Sequence, residues 1–158
     1  MKMILKAAAL VLAALIALTS AGCAAFCEPK ASEDEIKVNI KLELEEDIGL
    51  FLTDWTVNGQ SGMSGSSNAD GSMIKRSGTE YWSFNKQFLE EPAEEASLTL
   101  RFIVVTEYFE PDYDFDYPEE CMIPAEPISF TAEFGKIYHV TVTGSNANGY
   151  QAVLNADQ

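Results

Sequence analysis

Ile36-Lys37-Val38-Asn39-Ile40-Lys41-Leu42-Glu43-Leu44 alternates without a break: Ile36, Val38, Ile40, Leu42 and Leu44 take one side, Lys37, Asn39, Lys41 and Glu43 the other. Successive side chains of an extended chain point to opposite faces, so a period of two buries one face and wets the other. That is the pattern of a half-buried β-strand. No ten-residue stretch after Cys23 keeps an apolar stripe at helical spacing, which extends the β reading to the whole body of the chain.

Toward the C-terminus, the acidic turn Glu45-Glu46-Asp47 precedes a second apolar-rich run, Ile48 to Val57. It closes on Asn58-Gly59, the dipeptide that best tolerates positive φ at both positions of a tight hairpin turn. Within the run the apolar phase shifts from Leu50 and Leu52 to Trp55 and Val57, which predicts a β-bulge. Gln60 to Gly78 is rich in Ser, Gly, Asn and Asp and reads as loop with at most a short edge strand. Glu80 to Phe88 reads as a strand, and Glu90 to Glu95 as a connector, either one helical turn or a solvated loop. Leu98 to Val105 is apolar on both faces in its second half, as a central strand would be. Ile128 to Phe134, Lys136 to Thr143 and Gly149 to Leu154 complete the set, the last two as a hairpin across Gly144 to Gly149. About seven strands with turn signals between them predict an all-β, antiparallel two-sheet sandwich of immunoglobulin or transthyretin type over residues 35–158. The cysteine–tryptophan–cysteine spacing of true immunoglobulin domains is absent.

Toward the N-terminus, Lys2 and Lys6 precede an apolar run from Ala7 to Leu18 and then Thr19-Ser20-Ala21-Gly22-Cys23. The run is too short to span a membrane, which needs about 20 residues. A basic start, a short apolar segment and small residues before a cysteine describe a secretory signal helix. The stretch resembles the lipobox of bacterial lipoproteins, although Ser20 stands where that family prefers Leu. The resemblance implies cleavage before Cys23, diacylglycerol on its sulfur and an acylated new N-terminus. The expected organisation is a signal peptide over 1–22, a lipidated tether over 23–34 and the sandwich over 35–158, held through its lipid on the extracytoplasmic face of the cell membrane. The whole chain is also similar to small bacterial lipoproteins that carry one immunoglobulin-like domain, on the lipobox, Asn58-Gly59, Asn68-Ala69-Asp70-Gly71, and the closing Phe134-Gly135-Lys136 and Asn148-Gly149-Tyr150. That likeness implies no activity.

The chain carries a formal charge of −15, and loss of residues 1–22 with their two lysines makes it −17. A field of that sign repels phosphate backbones, which excludes nucleic acid as a partner. Beyond Cys23, the remaining cysteines Cys27 and Cys121 form an even pair in an exported protein, either bridged or as two thiols. If bridged, they would put the acidic run Glu107 to Glu120 at the tethered end of the domain.

That run alternates acids with aromatics and is the most unusual stretch of the body. Asp112, Asp114 and Asp116 follow the spacing of the first three ligands of a calcium loop, but Tyr117 and Ile123 occupy the positions that need glycine and glutamate. An EF-hand is excluded, and a calcium-responsive loop is the alternative to a solvated cover over the sandwich edge. Tyr81, Tyr108, Tyr113 and Tyr117 are the candidates for stacking on a sugar ring, while Trp55 and Trp82 fall in apolar strand phases and read as core. His139 alternates with Ile137 and Thr141, away from any nucleophile, and no metal-ligand or phosphate motif is present. The expectation is a non-catalytic module with no cofactor, which binds or presents to an extracellular protein or glycan. Its expected contact surfaces are the loops Gln60 to Gly78 and Glu107 to Glu120. An enzyme with an unrecognised site is the further alternative.

Overall fold

The computed structural model describes residues 30–89, 93–111 and 114–156. The alternating stretch is β1 (Glu35–Leu44), with all five of its apolar residues buried. It is followed by β2 (Leu50–Val57), β3 (Gln60–Ser66), β4 (Thr79–Asn85), β5 (Glu95–Val105), β6 (Met122–Pro124), β7 (Ile128–Glu133), β8 (Ile137–Ser145) and β9 (Gly149–Leu154). One sheet runs β4-β1-β8-β9. The other runs β3-β2-β5, with β6 and β7 sharing the far edge of β5. Ile36, Val38, Ile40 and Leu42 of β1 and Val140 and Val142 of β8 pack against Phe51, Leu98, Leu100 and Phe102. Phe51 and Phe102 stack with ring centroids 5.5 Å apart at the centre of this layer. The fold is therefore all-β with two sheets, as the alternation predicts.

Three expectations change. The sandwich is not wholly antiparallel, because β1 runs parallel to β8 from Lys37↔Ile137 to Leu44↔Gly144. Alternation reports the face a residue takes and is silent on the strand beside it. A parallel pair needs only a long connection, and here the chain passes through the other sheet between β1 and β8.

The strands also number nine among the described residues, with β3 and β6 added to the expected seven. β3 reads as loop because of its glycines, yet these are the positions over which aromatic rings lie. A Cβ on Gly62 would run into the Trp55 indole, and one on Gly65 would sit 2.9 Å from the Phe115 ring. The strand expected to reach Phe88 stops at Asn85, whose side-chain oxygen accepts the Gln87 N–H and caps a short 3-10 turn over Lys86–Phe88. In the connector, residues 90–92 lie outside the described set and Glu95 already belongs to β5.

The third change concerns the bulge in β2. Its register with β3 and with β5 is unbroken from end to end. The shift of phase records two buried faces instead. Phe51 and Val57 join the layer between the sheets. Leu50 and Leu52, with Ile103 and Val105 of β5, face a second core on the outer side, roofed by Phe109, Phe115, Tyr117, Cys121 and Met122. Much of the roof comes from the acidic-aromatic run, whose Phe109, Phe115 and Tyr117 rings pack in while Glu107, Glu110, Asp114 and Asp116 stay exposed. The Asn58-Gly59 turn is as expected, with φ of 48° and 86°.

The β8–β9 hairpin is tied to the β1–β2 turn through Glu46, which accepts hydrogen bonds from the Tyr150 hydroxyl at 2.7 Å and from the Asn146 backbone N–H. Tyr150 is 4 % exposed. Burial, then the bond to Glu46, pushes its phenol pKa up. The folded chain thus holds this proton more tightly than the unfolded one. The associated stability is complete below about pH 10 and is lost as pH rises beyond it. Tyr150→Phe is expected to cost about 1–2 kcal/mol. Urea titrations at neutral pH and above about pH 10 should show the gap between variant and wild type narrowing at the alkaline end.

Candidate functional site

β3 and β4 are the end strands of the two sheets, and their free edges flank one side of the sandwich. Between them lies a cleft of about 360 Å³ lined by Trp55, Val57, Gln60, Ser64, Trp82, Ser83, Phe84, Asn85 and Leu89. Each wall follows from register. Trp82 and Phe84 stand opposite Val38 and Ile36 and so face inward from β4, while Trp55 stands opposite Gly62 and faces inward from β2. Without a side chain at Gly62, the Trp55 ring lies down over β3. There its Nε1 donates to Ser64 Oγ at 3.1 Å, and its edge meets the Phe84 ring at 5.7 Å and 73°. Trp82 Nε1 donates to the buried Thr53 hydroxyl at 2.8 Å. Both indole N–H groups are thus used within the protein, and what the tryptophans show to the cleft is ring carbon.

On the cleft side of β3, Gln60 and Ser64 add polar groups to these apolar walls, while the side chains of Ser83 and Asn85 take the other face of β4, where Ser83 bonds Glu35 and Asn85 caps the 3-10 turn. None of the lining residues titrates near neutral pH. The cleft can bury an apolar group and hydrogen-bond its surroundings, but it holds no acid–base pair. Its volume and mostly apolar lining fall in the range of small ligand sites. A second hollow of about 380 Å³ lies on the outer face of the β1 sheet, lined by Asn39, Lys41, Thr79, His139, Val140, Asn155 and Ala156. It is the more polar of the two, and its Lys41 is paired with Glu43. A ligand there would gain little by leaving water, so the smaller but apolar cleft is the better candidate.

The residues singled out in the sequence do not assemble. Tyr81 is 70 % exposed on the outer face of β4, turned away from the cleft. Tyr108 is half-buried beside Gly71, and Tyr117 is only 7 % exposed, its ring against Phe109. Tyr113 and Asp112 lie outside the described residues, and Asp114 and Asp116 are exposed. Among the described residues no three His, Cys, Asp or Glu side chains come close enough together to hold a metal ion. Cys121 is a buried free thiol beneath the acidic run; Cys27 and Cys23 lie outside the described residues. β1 begins at Glu35, which pairs with Asn85, whereas the Cys121 carbonyl accepts from Thr106 N–H just past the end of β5. The acidic run therefore lies near the opposite end of β1, about 30 Å away. The expectation that a Cys27–Cys121 bridge would bring this run to the tethered end turns on Cys27, which lies outside the described residues.

Trp55 and Trp82, assigned to the core by their strand phase, do pack against it and also line the candidate cleft. The signal was present in the neighbouring strand. Gln60 to Ser66 offers no bulky residue to cover an inward-facing tryptophan.

No family model and no curated protein matches the sequence. Among solved structures, the chain resembles "Crystal Structure of Gram Negative Toxin" at 8 % identity and TM-score 0.40, over 80 % of this chain and 24 % of that one. It resembles listeriolysin O at 11 % identity and TM-score 0.39, over 78 % of this chain and 23 % of that one. The membrane-binding domain of pneumolysin matches at 8 % identity and TM-score 0.33, over 78 % of this chain and 98 % of that one. The chain thus spans about a quarter of the length of the first two. At these values the likeness carries nothing about what this chain does.

Proposed function

We propose that this protein is a lipid-anchored, extracytoplasmic binding module that takes an apolar group of a protein or glycan partner into the Trp55–Trp82 cleft. The observation that supports it is the cleft itself: two half-buried tryptophans whose N–H groups are already bonded, with Gln60 and Ser64 beside them and two end strands alongside. The anchor rests on Met1 to Cys23, and the body is read as one of the immunoglobulin-like domains that such lipoproteins carry. Binding without chemistry fits walls that hold no titratable group.

Trp55 and Trp82 are the only tryptophans in the chain, so its indole emission reports on the cleft alone. The mature chain, titrated with cell-wall oligosaccharides and with synthetic peptides, is expected to shift its emission to shorter wavelength with at least one of them. Trp82→Ala, checked for folding by circular dichroism, is expected to weaken that ligand about 30-fold by calorimetry, the effect of losing a central aromatic contact. Tyr81→Ala, one residue away on the opposite face, should leave affinity unchanged. The proposal fails if no ligand moves the emission, or if Tyr81→Ala abolishes binding and Trp82→Ala spares it.

A further inference from the structure

Building on that reading, we infer that the occupant of the cleft is an extended peptide segment. It adds as a strand to the free edge of β3 and seats an apolar side chain between Trp55 and Trp82. The two-residue turn at Asn58-Gly59 makes Val57 and Gln60 a mutually hydrogen-bonded pair, and the unbroken antiparallel register repeats this at Trp55/Gly62, Thr53/Ser64 and Phe51/Ser66. The N–H and C=O groups of Ser61, Met63 and Gly65 therefore point away from β2, along the free edge. Among the described residues no backbone hydrogen bond from elsewhere reaches them.

Edges of this kind are normally blocked by charge, proline or an inward-pointing ionic side chain. β4, across the cleft, is blocked in that way: Glu80 stands opposite Ile40 on its inner face, and Lys86 follows the strand. β3 reads Gln-Ser-Gly-Met-Ser-Gly-Ser and carries neither a charge nor a proline. It is the receptive edge of the two.

The choice of peptide over sugar follows from what each would find. A saccharide presents hydroxyls, and the two indole N–H groups that would meet them are already bonded to Ser64 and Thr53. A strand presents alternating backbone donors and acceptors, which match those of Ser61, Met63 and Gly65. Every second side chain of an added strand faces inward, beside Trp55 and the cleft. Charge sets the ends of the segment. The hollow beside Gly65, Ser66 and Ser67 is walled by Pro111, Phe115 and Tyr117 of the acidic run, in a chain of net charge −15. The matching peptide is apolar at alternate positions and carries lysine or arginine where it passes that run.

The test uses the mature chain and three synthetic octapeptides that alternate threonine with phenylalanine, valine or leucine and end in two lysines. At least one is expected to bind with a blue shift of tryptophan emission. Methylating its alternate backbone nitrogens should weaken binding at least tenfold, because the added ladder then lacks donors while the side chains are unchanged. Ser61→Pro should do the same from the protein side. The N–H it removes points to the free edge, so the β2 ladder keeps all its bonds. If that variant does not fold, the methylated peptides on the wild-type chain decide alone. Binding that ignores both changes overturns strand addition and leaves the cleft reading in place. So does a set of peptides that all fail while an oligosaccharide shifts the emission. A dimer in sedimentation that Ser61→Pro dissolves, with no peptide bound, would assign the edge to a second copy and overturn the inference. Silence of the tryptophans toward every probe would remove the cleft reading with it.

Discussion

Cys23→Ala is expected to move the protein from the cell membrane to the medium almost completely. Its apolar segment, Ala7 to Leu18, is too short to hold a bilayer, so attachment in the proposed reading falls entirely to the acyl chains on Cys23. Each buried methylene contributes about 0.8 kcal/mol, which makes one chain marginal and two or three durable. Without the thiol there is no site for the first pair. The loss is all-or-none on the timescale of a cell fractionation. Metabolic labelling with an alkyne fatty acid, followed by separation of membrane and medium, checks it: wild type labelled and pelleted, variant unlabelled and soluble. A variant that stays in the membrane and still takes the label would end the lipoprotein reading.

The same variant bears on how the cleft is used. The 12 residues from Cys23 to Glu35 reach at most about 40 Å. Glu35 pairs with Asn85, which lines the cleft, whereas the acidic run roofs the far end of β2 and β5. In the proposed arrangement the cleft faces sideways near the bilayer and the most negative part of the molecule points away from it. Anionic headgroups and the acidic run are thereby kept apart.

How much of this was legible depends on what each residue reports. Alternation reports faces, so β1, the central strand β5 and the closing hairpin were visible, down to the doubly buried second half of β5. Neighbours and direction are properties of the assembled sheets, and nothing in Ile36 to Leu44 announces a parallel partner in Ile137 to Gly144. The apparent bulge in β2 was a correct observation with another cause, since Leu50 and Leu52 are buried by a roof that lies more than 50 residues away. Glycine misled for a similar reason. Propensity reads Gly62 and Gly65 as flexible backbone, but each is small because a ring from another element lies against it. The tyrosines read as candidates for stacking on a sugar, whereas the candidate cleft is lined by two tryptophans that pack against the core under a strand that lacks bulk.

Gly49→Ala tests the second core most sharply. Gly49 is buried just before β2, its N–H bonded to Val105 O at 2.8 Å, and the backbone of Glu107 and Tyr108 crosses directly over its Cα. A methyl group there would occupy the space of the Glu107 carbonyl. Neither partner is the mobile end of a side chain, so the crossing itself has to move. That crossing roots the acidic run, and lifting it would draw Phe109, Phe115 and Tyr117 off Leu50 and Leu52. Overpacking of this kind costs about 1–3 kcal/mol and more where backbone is forced aside; the upper end is expected here. The layer between the sheets, centred on Phe51 and Phe102, is built on the other face of β2 and β5 and should survive. The distinguishing readout is therefore the Cys121 thiol, buried under the roof. In a reduced Cys27→Ser background, maleimide labelling of Cys121 is expected to speed up at least tenfold in Gly49→Ala, while the tryptophan emission of the cleft stays as in the parent. Labelling that rises only in step with global unfolding would mean that roof and sandwich form one cooperative unit.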